Sequence, residues 1–260
     1  MSKSKWTRFP YADDAYVYDG DRLETNWPRL HAGDREPFPH DPRVQDAWRA
    51  YHRGDFEMAA RDGEVLGEAG ANVAAKAINI YATYLVEDRE EKKTLFQRAV
   101  GLAEALQQSA PDSANAYYLH AQALGRFSQC ISVAKALAQG LGGKIKHDLE
   151  TALRLEKRHA DAHIALGAYH AEVVDKIGGM IAGLTYGASK EAAVKHFEEA
   201  LKLNPASAIA RMEYANALAM LFGAAKLKKA TALYEEAARC VPADAMERLD
   251  VEAAKAELAA

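Results

Sequence analysis

One pattern constrains this chain more than any other: three segments repeat with the same internal layout. They are Ala114-Asn-Ala-Tyr-Tyr-Leu-His-Ala-Gln-Ala-Leu124, Ala160-Asp-Ala-His-Ile-Ala-Leu-Gly-Ala-Tyr-His170 and Ala208-Ile-Ala-Arg-Met-Glu-Tyr-Ala-Asn-Ala-Leu218. Each places a small residue (Ala121, Gly167, Ala215) seven positions after its first alanine. Each is followed by a large residue three positions before an alanine: Leu149/Ala152, Phe197/Ala200 and Tyr234/Ala237. Pro205 and Pro242 close the last two of these, Lys157 stands at the matching place in the first, and Pro111 precedes the first segment. Alanine has the highest intrinsic helix propensity, and proline cannot continue a helix. A recurring unit of this kind predicts paired helices that stack, each pair too thin to bury its apolar face alone. Alternating β-branched runs, the signature of strands, are missing.

This layout resembles the tetratricopeptide repeat. In that family the small residue lets helix A touch helix B, and the large residue with its alanine on helix B packs into helix A and the next unit. The resemblance implies an all-α superhelix over residues 44–260. Earlier units are more degenerate: Gly54-Asp-Phe-Glu-Met-Ala59 fits a helix A to helix B turn, and Ala74 to Val86 followed by Phe96-Gln-Arg-Ala99 fits a second pair. The spacing from Ala114 to Ala160 is 46 residues and from Ala160 to Ala208 is 48, longer than the usual repeat of about 34. The surplus lies near Phe127 to Gly143 and Val173 to Ala188, between helix A and helix B. Both stretches are apolar and glycine-bearing, so they are expected to be short packed helices. The glycines of the second, Gly178, Gly179, Gly183 and Gly187, would let one helix cross another closely. With this insert, residues 163–205 resemble the regulator-of-microtubule-dynamics family and its bacterial relatives, and more distantly the T component of tripartite ATP-independent periplasmic transporters. These resemblances imply binding without catalysis, with no cofactor.

Residues 1–43 read differently. They hold five of the eight prolines and seven of the 22 aromatic residues: Trp6, Phe9, Tyr11, Tyr16, Tyr18, Trp27 and Phe38. The prolines predict an irregular arm rather than a helix. The aromatics predict that it packs, because disordered segments are poor in them. Packing as a cap on the first unit is favoured over occupation of a groove, since Trp48 and Phe56 begin that unit directly afterwards.

Composition limits the functional classes. A formal net charge of −4 offers no basic face for phosphates, which argues against nucleic-acid binding. No run is long and apolar enough to insert into a membrane. The N-terminal stretch lacks the apolar segment of a secretory signal, and Cys130 and Cys240 have neither disulfide nor metal spacing. A cytoplasmic protein is expected. Gly140-Leu-Gly-Gly-Lys144 has the wrong spacing for a phosphate loop and reads as a turn or helix start. His159, His163 and His170 share a helix but lack a converging third ligand, so packing is expected rather than metal binding.

In the tetratricopeptide resemblance, fixed positions of helix A face the concave groove. They map to Asn115, Tyr118, Gln122 and Arg126; to Asp161, Ile164, Ala168 and Glu172; and to Ile209, Met212, Asn216 and Met220. The set is mixed and largely apolar, and lacks the Lys and Asn pattern that clamps a peptide carboxylate. The expected function is a non-catalytic interaction module holding an extended protein or peptide segment. The alternative is a carrier of a small apolar molecule or lipid, in a pocket lined by the glycine-bearing inserts.

Overall fold

The computed structural model describes residues 6–259. Among these the secondary structure is helical, with no strand. Helix α1 (Arg22–Leu30) precedes five helical hairpins. These are α2 (Pro42–His52) with α3 (Phe56–Val65), α4 (Ala71–Tyr84) with α5 (Arg89–Ser109), and α6 (Ala114–Gln129) with α8 (Leu141–Leu155). They continue as α9 (Ala160–Ile177) with α11 (Lys190–Leu203), and α12 (Ala208–Phe222) with α13 (Leu227–Ala238). Two short helices, α7 (Val133–Ala138) and α10 (Gly179–Tyr186), sit in the long A-to-B connections, and α14 (Ala245–Ala259) ends the chain.

The helix starts follow from local chemistry. The side chains of Asp41, Asp55, Asp88, Ser113, Ser189 and Ser207 each accept a backbone N–H of the turn they precede, satisfying donors that a helix start otherwise leaves open. Packing within a hairpin depends on the small residue of helix A. A Cβ placed on Gly167 would lie 2.8–2.9 Å from the Phe197 ring of α11, closer than atoms can approach. Phe197 then stacks on Tyr214 of α12 with ring centroids 5.3 Å apart, which joins one hairpin to the next. Gly167→Leu is therefore expected to destabilise the protein by about 1–3 kcal/mol or more through overpacking. An unchanged melting temperature would show that this contact does not hold the hairpin.

Residues 6–43 are less irregular than the proline count predicts. Helix α1 buries Leu23, Trp27 and Leu30 on one face, an i, i+4, i+7 spacing. Pro28 lies inside it on an exposed position. It removes one backbone bond on the solvent side, and the buried face outweighs that loss. The rest of the segment is clamped by aromatic contacts. Trp6 stacks on Tyr81 at 3.9 Å, and the Phe9 ring lies against Gly54, where any Cβ would fall within 2.7 Å of it.

The long connections also differ from expectation. Helix α7 buries no residue and α10 buries Ala182 alone. Met180 and Leu184 are 80% and 86% exposed, so these helices are not packed all round. The glycines of the second insert serve the backbone, not a close helix crossing. Gly178 and Gly187 bracket α10 with φ of 79° and 61°, a region that favours glycine. No neighbouring atom lies within 4 Å of a Cβ on Gly178 or Gly179.

The first described segments meet the start of α14. Leu23, Trp27, Trp48, Ala245 and Leu249 share one core. The Tyr18 hydroxyl donates to the Ala243 carbonyl at 2.6 Å, and Arg29 binds Glu247 through two bonds of 2.5 and 2.7 Å. The buried His52 meets Asp244 at 2.8 Å. Helix α14 thus returns to the first hairpin and closes the superhelix on itself.

Candidate functional site

Closure turns the concave face into a cavity of about 240 Å³. The A helices supply its wall through side chains spaced four apart, which lie on one helical face. Helix α4 gives Lys76, Ile80 and Tyr84; α6 gives Tyr118, Gln122 and Arg126; α9 gives Ile164, Ala168 and Glu172. Helix α14 adds Met246, Glu247 and Asp250, and the turn after α1 adds Gly33 and Asp34. Leu137, Leu141, Ile145 and Tyr186, from the inserts and α8, make the wall apolar on their side.

Tyr118, Gln122, Arg126, Ile164, Ala168 and Glu172 therefore come together around one space, with Asp161 and Ile209. Asn115, Met212, Asn216 and Met220 do not line it. Asn115 is buried beneath the turn of residues 31–36, hydrogen-bonded to His159 and Glu36. Met212 packs against Val251 and Ala254 of α14. Asn216 accepts from the Tyr234 hydroxyl, and Met220 is exposed. The last hairpin departs because α14 stacks on it against both α12 and α13, and Asn216 turns to α13, which the repeat pattern does not encode.

The turn of residues 31–36 crosses the concave side, so the N-terminal segment is more than an outer cap. Gly33 makes the crossing possible: a Cβ there would collide with the Asp161 carboxylate. The Gly33 carbonyl accepts the Asp161 backbone N–H at 3.1 Å. Asp34 is 3% exposed and bonds both His31, at 2.9 Å, and the ammonium of Lys76. Burial opposes its ionisation, but Lys76 and His31 hold its carboxyl well below the usual range. Glu36 accepts from Asn72 at 3.0 and 3.1 Å and from Asn115 at 2.5 Å. Burial raises it to about 7, helped by the nearby Asp34 charge.

His159 anchors this network. Its Nδ1 accepts the Ala162 N–H at 3.1 Å, capping α9, and its Nε2 bonds the Asn115 side-chain oxygen at 2.9 Å. Both bonds need the neutral ring with its proton on Nε2. Burial accordingly lowers its pKa to about 4. His163 and His170 pack with His196 across α9 and α11. Among the described residues no group of three or more His, Cys, Asp or Glu side chains is arranged to hold a metal ion.

Two other carboxyls of the wall are perturbed. Burial lifts Asp161 to about 7; Lys76 opposes the shift, and Asp34 and Glu247 add to it. Burial also raises Asp250 well above its usual range, against the hydrogen bond from Tyr84, and Glu247, Asp244 and Asp161 push it further. Lys76, Ile80 and Tyr84 repeat on α4 the spacing seen on α6 and α9, so that signal was present in the sequence. Asp34, Glu247 and Asp250 lie outside the repeats, and nothing local marks them as neighbours of the groove.

A helical-hairpin superhelix wound around a central cavity is the class that this fold and site define: a tetratricopeptide-type repeat protein. Its fold is similar to that of a thermophilic TPR protein from Thermus thermophilus, with a TM-score of 0.59 at 17% identity, covering 83% of this chain and 98% of that one. The model of the regulator of microtubule dynamics protein 1-3 family matches residues 71–259, and the chain belongs to that family. No curated protein matches it. Among the described residues no helix is long and apolar enough to cross a membrane.

Proposed function

We propose that this protein is a non-catalytic binding protein that holds a small, partly apolar molecule in its central cavity. The observation that carries the reading is the closure of the groove: residues 31–36 cross its face and α14 covers the last hairpin. An extended peptide needs an open channel along the A helices. A small molecule needs a concave, mainly apolar site with a few placed polar groups, and the cavity, partly open to solvent, has that character. The fold class is one that commonly serves protein interaction. Val133, Leu137, Met180 and Leu184 keep apolar surface exposed on α7 and α10, which supports a protein contact there as a second role. The free cysteines Cys130 and Cys240 suit a reducing, cytoplasmic setting.

An apolar fluorescent probe such as N-phenyl-1-naphthylamine tests the main reading. It is expected to bind the protein with enhanced emission. Ala168→Phe, which places a ring into the cavity from the middle of α9, should abolish that signal while leaving the circular dichroism spectrum unchanged. Equal probe binding by the folded variant would rule the cavity out as the site.

A further inference from the structure

We infer that the cavity selects an organic cation, an ammonium group carried on an apolar body, with the ammonium held against Asp161 and Asp250. This deepens the small-molecule reading above and rests on it.

Around the wall, Lys76 is matched by Asp34, Arg126 by Glu213 at 3.1 Å, and Lys176 by Glu172 at 2.7 Å. Glu247 is matched by Arg29 from behind the wall. Asp161 and Asp250 also line the cavity, and among the described residues neither has a cation within ion-pairing distance. Asp250 is 3% exposed and takes one hydrogen bond, from the Tyr84 hydroxyl to Oδ1; its Oδ2 receives none. The Asp161 carboxylate receives no hydrogen bond from the described residues. Asp250 is buried and Asp161 partly buried; ionising a carboxyl in such a place without a partner is costly, and two that face one space favour a ligand cation that would hold both in the ionised form.

A divalent metal needs several oxygen ligands at about 2.0–2.6 Å, and these carboxyls do not converge in that way. An ammonium has three donors on one compact charge and needs no fixed coordination shell. An anionic head would meet like charge and be rejected. Asp161 opens α9, and Val173 and Ile177 line the cavity from its far end. The sixteen steps from Asp161 to Ile177 span about 24 Å at the helical rise. An amphiphile with its charged end at Asp161 would lay its apolar part along Ile164 toward Ile177 and Tyr186.

The test compares octylamine, octan-1-ol and octanoate on the full-length protein at about pH 8.5, where octylamine keeps its charge. Binding is read by calorimetry and by displacement of the naphthylamine probe. Octylamine is expected to bind at least about tenfold more tightly than octanol, with octanoate weakest. Asp161→Asn combined with Asp250→Asn should bring octylamine within about threefold of octanol and leave octanol affinity unchanged. Asp161→Asn alone, which keeps the Tyr84 contact intact, should give a partial loss in the same direction. Octanol or octanoate binding as tightly as octylamine overturns the inference while leaving the cavity reading standing. So does an amine preference that survives in the double variant. Failure of the probe and of all three ligands to bind overturns both.

Discussion

Asp34→Ala is expected to destabilise the protein by about 3–5 kcal/mol, the cost of breaking a buried ion pair from one side. Asp34 and Lys76 are 3% and 5% exposed. Asp34 bonds the Lys76 ammonium, His31 and the backbone N–H of Glu36. Burial alone would lower the Lys76 pKa; the Asp34 charge and hydrogen bond, with the charges of Asp161 and Asp244, together more than reverse this, and the ammonium stays protonated. Lys76 sits 6.0 and 5.7 Å from the ring centroids of Trp48 and Tyr51. Those faces soften the loss but cannot replace a carboxylate. With Asp34 gone, the amine must shed its proton or draw water into the core. The turn that crosses the cavity also loses its anchor. Removing both charges is a different experiment: Asp34→Leu with Lys76→Met should recover most of the loss, because well-packed apolar replacements of a buried pair are often neutral. Urea unfolding followed by circular dichroism reads both. A loss below about 1 kcal/mol for Asp34→Ala would mean that the pair is solvated and does not hold the segment.

Asp161→Asn is expected to act in the opposite direction and only at high pH. The folded-state pKa of Asp161 is about 7, above its ordinary value of 3.8. Between these values the folded protein keeps a proton that the unfolded chain has released. Stability contributed at this site therefore falls as pH rises through the window, and the full cost is present above pH 7. Asparagine cannot ionise and escapes that cost. Asp161 is only partly buried and faces the cavity, so water screens part of the charge. The variant should gain about 1–3 kcal/mol at pH 8 and nothing near pH 4. Denaturation midpoints at the two pH values give the comparison. A gain of equal size at both would point to a packing effect and away from the carboxyl's charge.

Much of this architecture was legible from local chemistry. Gly167 and Phe197 could be paired from sequence because a helical hairpin brings fixed positions together whatever surrounds it. Tyr118, Gln122 and Arg126 could be placed on one face because four-residue spacing puts side chains in a row. A helical spacing of four and then three residues in Leu23, Trp27 and Leu30 marked α1, but Pro28 concealed it. A single proline on a solvent-facing position costs one backbone bond, and three buried side chains outweigh that.

What remained hidden depends on residues far apart in the chain. Arg29 meets Glu247, His52 meets Asp244 and Tyr84 meets Asp250 only because the superhelical turn brings α14 back to α2. Each hairpin contributes a small rotation, and the sum decides whether the groove stays open or closes. No local pattern encodes that sum. The sequence by itself determined the helices, their pairing and the side chains turned toward the axis, since these rest on contacts within about forty residues. Only the tertiary structure decided that α14 returns to the first hairpin, that residues 31–36 cross the concave side, and that Asp161 and Asp250 face one space, because those juxtapositions depend on the accumulated rotation of five hairpins.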